Sequence, residues 1–203
     1  MGAGRCARLL GVSLVPLALV SMAASVALLF PNGDARYIVD GHITWWATIQ
    51  AGVWGSGVLV IVAALRIIAA AAAAAVGDSR CCLCRSGRIK MLSSVFYSLL
   101  AIIGSVACFI ISIFGMAKGP LCLFSATLPN KSHVHQWDYP FIEKISEINY
   151  LYDPMRWRTC EEPKNIVLWN IVLFSILVAI SCLEVLLCSI QIINGLLGCI
   201  IGG

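Results

Sequence analysis

Charge is what this chain has least of. Charged residues make up 12% of its 203 residues and hydrophobic ones 60%, against about 25% and about 45–50% in soluble proteins. That scarcity excludes an ordinary soluble domain. The chain also lacks a Walker-type loop, a dinucleotide fingerprint and a Ser-His-Asp arrangement in a plausible structural context, so catalysis has no visible constellation and no cofactor is implied. With 14 basic residues against 10 acids, the net charge is only +4. The basic residues gather beside apolar runs, where they report topology and attraction to anionic lipid and not nucleic-acid binding.

What is present is length without charge. Four apolar stretches, about 9–30, 45–69, 92–117 and 167–197, each exceed the roughly 20 residues that cross a bilayer. The reading is an all-α membrane protein, a single four-pass domain over 1–203 whose four helices form a bundle. A small outer loop falls at 31–44, a cytoplasmic loop at 76–91 and a large outer loop at 118–166. The first stretch follows Arg5 and Arg8 as a signal peptide would, but it is too long for an h-region and has no convincing small-residue cleavage site. It is expected to be a retained helix.

Orientation follows from Arg66, Arg80, Arg85, Arg88 and Lys90, which cluster around the connection between spans two and three and are opposed there only by Asp78. The positive-inside rule places this connection and both termini in the cytoplasm. The large loop balances its bases against six acids. It holds just two cysteines, Cys122 and Cys160, and an oxidising exterior makes a disulfide between them the default. Asn130-Lys131-Ser132 is a glycosylation sequon on the same side. Pro31-Asn32-Gly33-Asp34 and Lys118-Gly119-Pro120 are the breakers that end spans one and three.

On the inner side Cys6, Cys81, Cys82 and Cys84 lie beside membrane ends and basic residues, a setting for S-acylation. Free thiols are one alternative. Zinc is another, although Cys81-Cys82-Leu83-Cys84 lacks the two-residue gap of paired metal ligands. Gly2 raises myristoylation, but Cys6 stands where the motif prefers Ser or Thr. His133 and His135, near Asp138, could seed a metal site, but two histidines two apart in a polar loop are more often solvated, and no metal is expected.

The spans carry small residues in order. Ser94, Ser98, Ala101, Ser105, Cys108, Ser112 and Gly115 lay a stripe along the third. Ser181, Glu184, Cys188, Gln191 and Gly195 do so along the fourth; Gly52 with Ser56 and Ala51 with Gly55 mark the second, and Gly11, Ala18 and Ser25 the first, which also contains Pro16. Such faces let helices approach closely. Glu184 is the one acid inside the apolar runs. It reads either as a hydrogen-bonded group tying helices together through the serines or Gln191, or as part of an ion or proton path. Ala69 to Ala75 is expected to extend the second helix into the cytoplasm. In the large loop, Gln136-Trp137-Asp138-Tyr139-Pro140-Phe141, Asn149-Tyr150-Leu151-Tyr152-Asp153-Pro154 and Trp157 are too aromatic for a linker. They read as a small folded cap, packed on itself or offered to a partner.

Several segments together carry a family resemblance: Cys6-Ala7-Arg8, Phe30-Pro31-Asn32-Gly33, Met91-Leu92-Ser93-Ser94, Lys118-Gly119-Pro120-Leu121-Cys122, Glu162-Pro163-Lys164-Asn165-Ile166-Val167, Trp169-Asn170, Leu173-Phe174-Ser175, and Ile190 to Gly198. In this order, from end to end, they resemble the L6 antigen family. Classical tetraspanins differ in having a Cys-Cys-Gly motif in the large loop, and claudins in having their cysteine pair in the first outer loop. The chain departs from several L6 members at Asn170-Ile171-Val172, where they often carry a sequon, and in having fewer inner-loop cysteines. The resemblance implies a non-enzymatic organiser or adaptor in the plasma membrane or in endosomal and lysosomal membranes. Its implied partners are membrane lipids, integrins or growth-factor receptors, with self-association open and an effect on adhesion, motility or growth. The competing reading is a small ion or proton transporter using Glu184.

Overall fold

The computed structural model describes residues 2–75, 83–127, 133–141 and 150–201. The chain is mostly helical, and four of its helical stretches are long and apolar enough to cross a membrane: Arg5–Ala27, Trp45–Ala72, Leu92–Lys118 and Ile166–Leu197. Helices α1 (Gly2–Ala27), α6 (Leu83–Lys118) and α7 (Ile166–Ile201) are continuous. Pro16 lies within α1 without ending it.

The second span is different. It is built from α3 (Trp45–Thr48), α4 (Ala51–Val53), a π-helical turn over Trp54–Leu59, and α5 (Val60–Ala75); a short α2 (Arg36–Val39) precedes it. Gln50 has φ +52, which breaks α3 from α4. Its own side chain repairs the break, since Nε2 donates to the carbonyls of Ala47 and Ser25 at 2.8 and 3.1 Å; without such acceptor satisfaction a break inside lipid would be costly. Gly52, Gly55 and Gly57 then lower the preference for regular helix around the π turn. The polyalanine run is helical to Ala75, as its propensity predicts.

The chain divides into two compact units. One comprises residues 1–23, 51–109 and 179–203. Its core gathers Leu14 and Ala18 of α1, Val60, Ala63, Ala64, Ile67 and Ala71 of α5, Ala101 of α6 and Cys188 of α7. These side chains are mostly small, so the backbones come close. A Cβ on Gly55 would stand 2.6 Å from the Gly104 carbonyl oxygen, and one on Gly104 would stand 2.6 Å from that of Gly55. Gly11 meets Ile68 and the Ala64 backbone in the same way. The outward residues are large and apolar, including Leu9, Leu65, Phe96, Ile103 and Leu186, as a lipid-facing surface requires.

The other unit comprises residues 24–50 and 110–178. It contains an antiparallel hairpin, β1 (Cys122–Thr127) with β2 (His133–Asp138), in the register Cys122 opposite Asp138 and Thr127 opposite His133. The expected all-α description carried no strands. The signal was the alternation of His133, Val134, His135, Gln136 and Trp137, which is short and mixed in polarity and so weak by period alone. Leu123 also exchanges backbone hydrogen bonds with the segment Glu161–Glu162, placing a third extended piece beside β1.

Candidate functional sites

Within the helical unit the one intramembrane acid is completely buried. Glu184 sits on α7, and the hydroxyls of Ser56 and Ser105 both donate to its Oε2, at 2.5 and 2.8 Å. Ser56 belongs to the π turn and Ser105 to α6, so one carboxyl oxygen ties three elements together. The close passage of Gly55 and Gly104 explains the geometry: each serine follows its glycine in sequence, and backbone contact at the glycines delivers both hydroxyls to one point. The π turn re-aims Ser56, a use to which such turns are often put. The other oxygen, Oε1, is buried without a partner, as are Ser181 Oγ and Gln191 Oε1. Of the two expected routes for tying the helices, the serines are realised. Gln191 is buried on the same helix but makes no hydrogen bond to Glu184 among the described residues.

In the loop unit a disulfide joins Cys122 to Cys160, with their Cα atoms 5.6 Å apart, inside the range such bonds span. Around it pack Tyr150, Ile166 and Val167, flanked by Phe141, Trp157 and Trp169. Phe141 stacks on Tyr150 at 4.4 Å between ring centres. The Tyr150 hydroxyl donates to the Met116 carbonyl, and burial pushes that phenol above its ordinary pKa. Trp157 Nε1 donates to the Tyr150 carbonyl at 2.9 Å. Gly119, at φ +78, turns the chain directly beneath the Phe141 ring, where a Cβ would stand 2.9 Å away. Trp137 lies flat against His42 at 4.0 Å, and Tyr139 accepts a hydrogen bond from the Trp45 amide. Much of the aromatic run is therefore committed to internal packing.

The remaining candidates are dispersed. Cys6 is an exposed free thiol near the start of α1. Cys81, Cys82 and the sequon asparagine Asn130 lie outside the described residues, and Cys84 lies in α6 with its side chain outside the described set. His135 pairs with Glu161 at 3.2 Å, Asp138 accepts from the Tyr139 amide, and among the described residues no three metal-ligating side chains converge.

A sequence profile described as L6 membrane protein matches residues 1–203. This chain belongs to the L6 membrane protein family. Among curated members of the family it is similar to transmembrane 4 L6 family member 1 of Homo sapiens, 41% identical over 98% of this chain and 93% of the relative. It is 37% identical to member 5 of Bos taurus, over 100% and 95%. Member 19 of Homo sapiens is also 37% identical, over 95% and 90%. No solved structure matches this L6 protein.

Proposed function

We propose that this L6 family member is a non-enzymatic organiser that associates laterally with other membrane proteins. Integrins and growth-factor receptors are the partner classes, and the loop unit, on the outer side of a chain whose termini are cytoplasmic, supplies the contact. The observation that carries this reading is that residues 118–166 include a built unit with a disulfide, a hairpin and an aromatic core; a tether would need none of these. Outside the four candidate spans, that unit leaves Val39 84% and Met155 74% exposed, and exposed apolar side chains on a rigid frame are suited to partner contact. The plasma membrane, with endosomal and lysosomal membranes, is the proposed location. Acylation at Cys6, Cys81, Cys82 and Cys84, and a glycan at Asn130, belong to the same proposal. The test is co-isolation in mild detergent with a panel of integrins and growth-factor receptors. A receptor recovered with the native chain and lost with V39D/M155D, at equal surface level, supports the organiser. A native chain that recovers no member of the panel removes it.

A second reading, a small ion or proton transporter, is favoured by one observation: Glu184 keeps a buried oxygen, Oε1, without a donor, which a structural carboxyl does not require. Reconstituted proton and cation flux unchanged in Glu184→Gln would eliminate it.

A further inference from the structure

The loop unit contains an open cavity of about 450 Å³ beside the disulfide, and its lining includes Trp157, Arg158, Glu161, Lys164 and Leu168. Its chemistry is sorted. Glu161 is engaged by His135 at 3.2 Å, while neither Arg158 nor Lys164 belongs to an ion pair among the described residues. Arg158 and Lys164 thus line one hollow, and its one carboxylate, Glu161, is held at His135 Nδ1. Leu168 is 47% exposed on the first turn of α7, and the candidate membrane span begins at Ile166. The cavity therefore has a cationic part and an apolar lip at the residue where the chain passes from polar to apolar surroundings.

The cations stand on a fixed frame. Cys160, between Arg158 and Lys164, is bonded to Cys122. Glu161 donates its amide to the Leu123 carbonyl, and the Glu162 carbonyl accepts from Leu123, both at 2.9 Å. The Lys164 carbonyl accepts from Asn32 Nδ2 at 2.8 Å. Asp153 caps the helical turn that carries Arg158 by accepting from the Met155 amide at 3.1 Å. Held this way, the segment loses little backbone freedom on taking up a ligand, which is where binding energy is otherwise spent. Paired cations that approach from one side match the several oxygens of a phosphate. In the first turn of α7 the Ile166 amide is taken by the Pro163 carbonyl, and the amides that follow it, at the lining residues Val167 and Leu168, add the same sign.

We propose that this cavity is a binding site for the phosphate-bearing headgroup of a membrane lipid, with Arg158 and Lys164 holding the phosphate and Leu168 meeting the start of an acyl chain. The proposal is independent of the organiser reading, since a lipid bound here leaves Val39 and Met155 untouched.

The test uses the purified full chain in detergent, with phosphatidylglycerol as the probe and diacylglycerol of the same acyl chains as the phosphate-free control, read by native mass spectrometry. The native protein is expected to retain phosphatidylglycerol and not diacylglycerol. A hydrogen bond between charged partners contributes about a factor of ten, so R158Q/K164Q is expected to weaken retention roughly a hundredfold. R158K/K164R, which keeps both charges, is expected to retain the lipid. Equal retention in the native and R158Q/K164Q proteins overturns the site, as does equal retention of diacylglycerol. Displacement by millimolar inorganic phosphate overturns the lipid assignment and leaves a site for free anions. If R158Q/K164Q fails to form the Cys122–Cys160 disulfide, the native chain decides alone: a photoactivatable headgroup that labels residues 157–168 supports the site, and labelling confined elsewhere overturns it.

Discussion

Around Glu184 the helices meet through what their side chains lack; around Cys122 the chain is held by what its side chains add. In the helical unit the contacts are Gly55 on Gly104, Gly11 on Ala64 and a core rich in alanine. In the loop unit they are a covalent bond, a hairpin and stacked aromatic rings. The difference follows from the solvent each composition suits. Apolar helices gain little by leaving lipid for one another, so close backbone approach and a few buried hydrogen bonds must hold them. A small core built around a loop outside the spans has too little apolar area to hold itself, and a cross-link supplies what is missing.

The comparison is broken most severely on the loop side. Cys122→Ser with Cys160→Ser opens a bond between residues 38 apart in sequence, and the chain-entropy account puts the loss at about 4 kcal/mol. Limited proteolysis is expected to cut residues 118–166 rapidly in that variant, while the helices keep their circular dichroism signal. If loop and helices melt together, the two units are held by a common set of forces and the contrast fails. On the helical side, Gly104→Val places a branched side chain against the Gly55 carbonyl oxygen and Leu59 Cδ1, at 2.6 and 2.8 Å from its Cβ. Backbone cannot rotate away as a side chain can, so the cost is expected at the upper end of overpacking, about 3 kcal/mol. It should appear as a lower melting temperature in detergent, with the disulfide intact on a non-reducing gel.

How far each unit was legible in the sequence follows the same division. Spacings of three and four announced the helical seam: Ser94, Ser98, Ala101, Ser105, Cys108 and Ser112 are all buried, and the serines named as partners for Glu184 include the two that bind it. Gln191, also named, does not bind it, because choosing among polar groups on one helix face requires knowing which neighbour approaches, and only the Gly55–Gly104 contact fixes that. The broken second span was hidden for a related reason. Gln50 matters through the Ser25 carbonyl and the π turn through the Glu184 carboxyl, each on another segment, and periodicity does not register such contacts. In the loop the cysteine pair was readable by elimination, but the hairpin's alternation was too weak to show its register, and the stacking of Trp137 on His42 joins residues far apart in sequence. The cavity at Arg158 and Lys164 was invisible for the same reason, since two ordinary loop cations become a pair only when the segment is pinned on both sides.

The smallest expected effect sharpens the contrast through pH. Tyr150 is 5% exposed, donates to the Met116 carbonyl and stacks on Phe141, and burial raises the pKa of its phenol in the folded chain. A raised folded pKa means that the neutral form is the one the fold prefers. The stabilisation is therefore fully present below the ordinary tyrosine value of about 10 and is lost as pH rises beyond it. Melting of the loop unit, followed by the near-ultraviolet signal of its aromatic rings, is expected to fall above about pH 10 in the native chain. Tyr150→Phe keeps the ring stack, loses one hydrogen bond at about 1 kcal/mol near neutrality, and should show a flatter alkaline limb. The helical unit's own phenol, Tyr97, packs against its core and is unchanged in Tyr150→Phe, so the stability of that unit should follow the same alkaline course in both proteins. An alkaline fall of equal size in Tyr150→Phe would place the titrating group elsewhere and would separate the stability of the loop unit from its aromatic core.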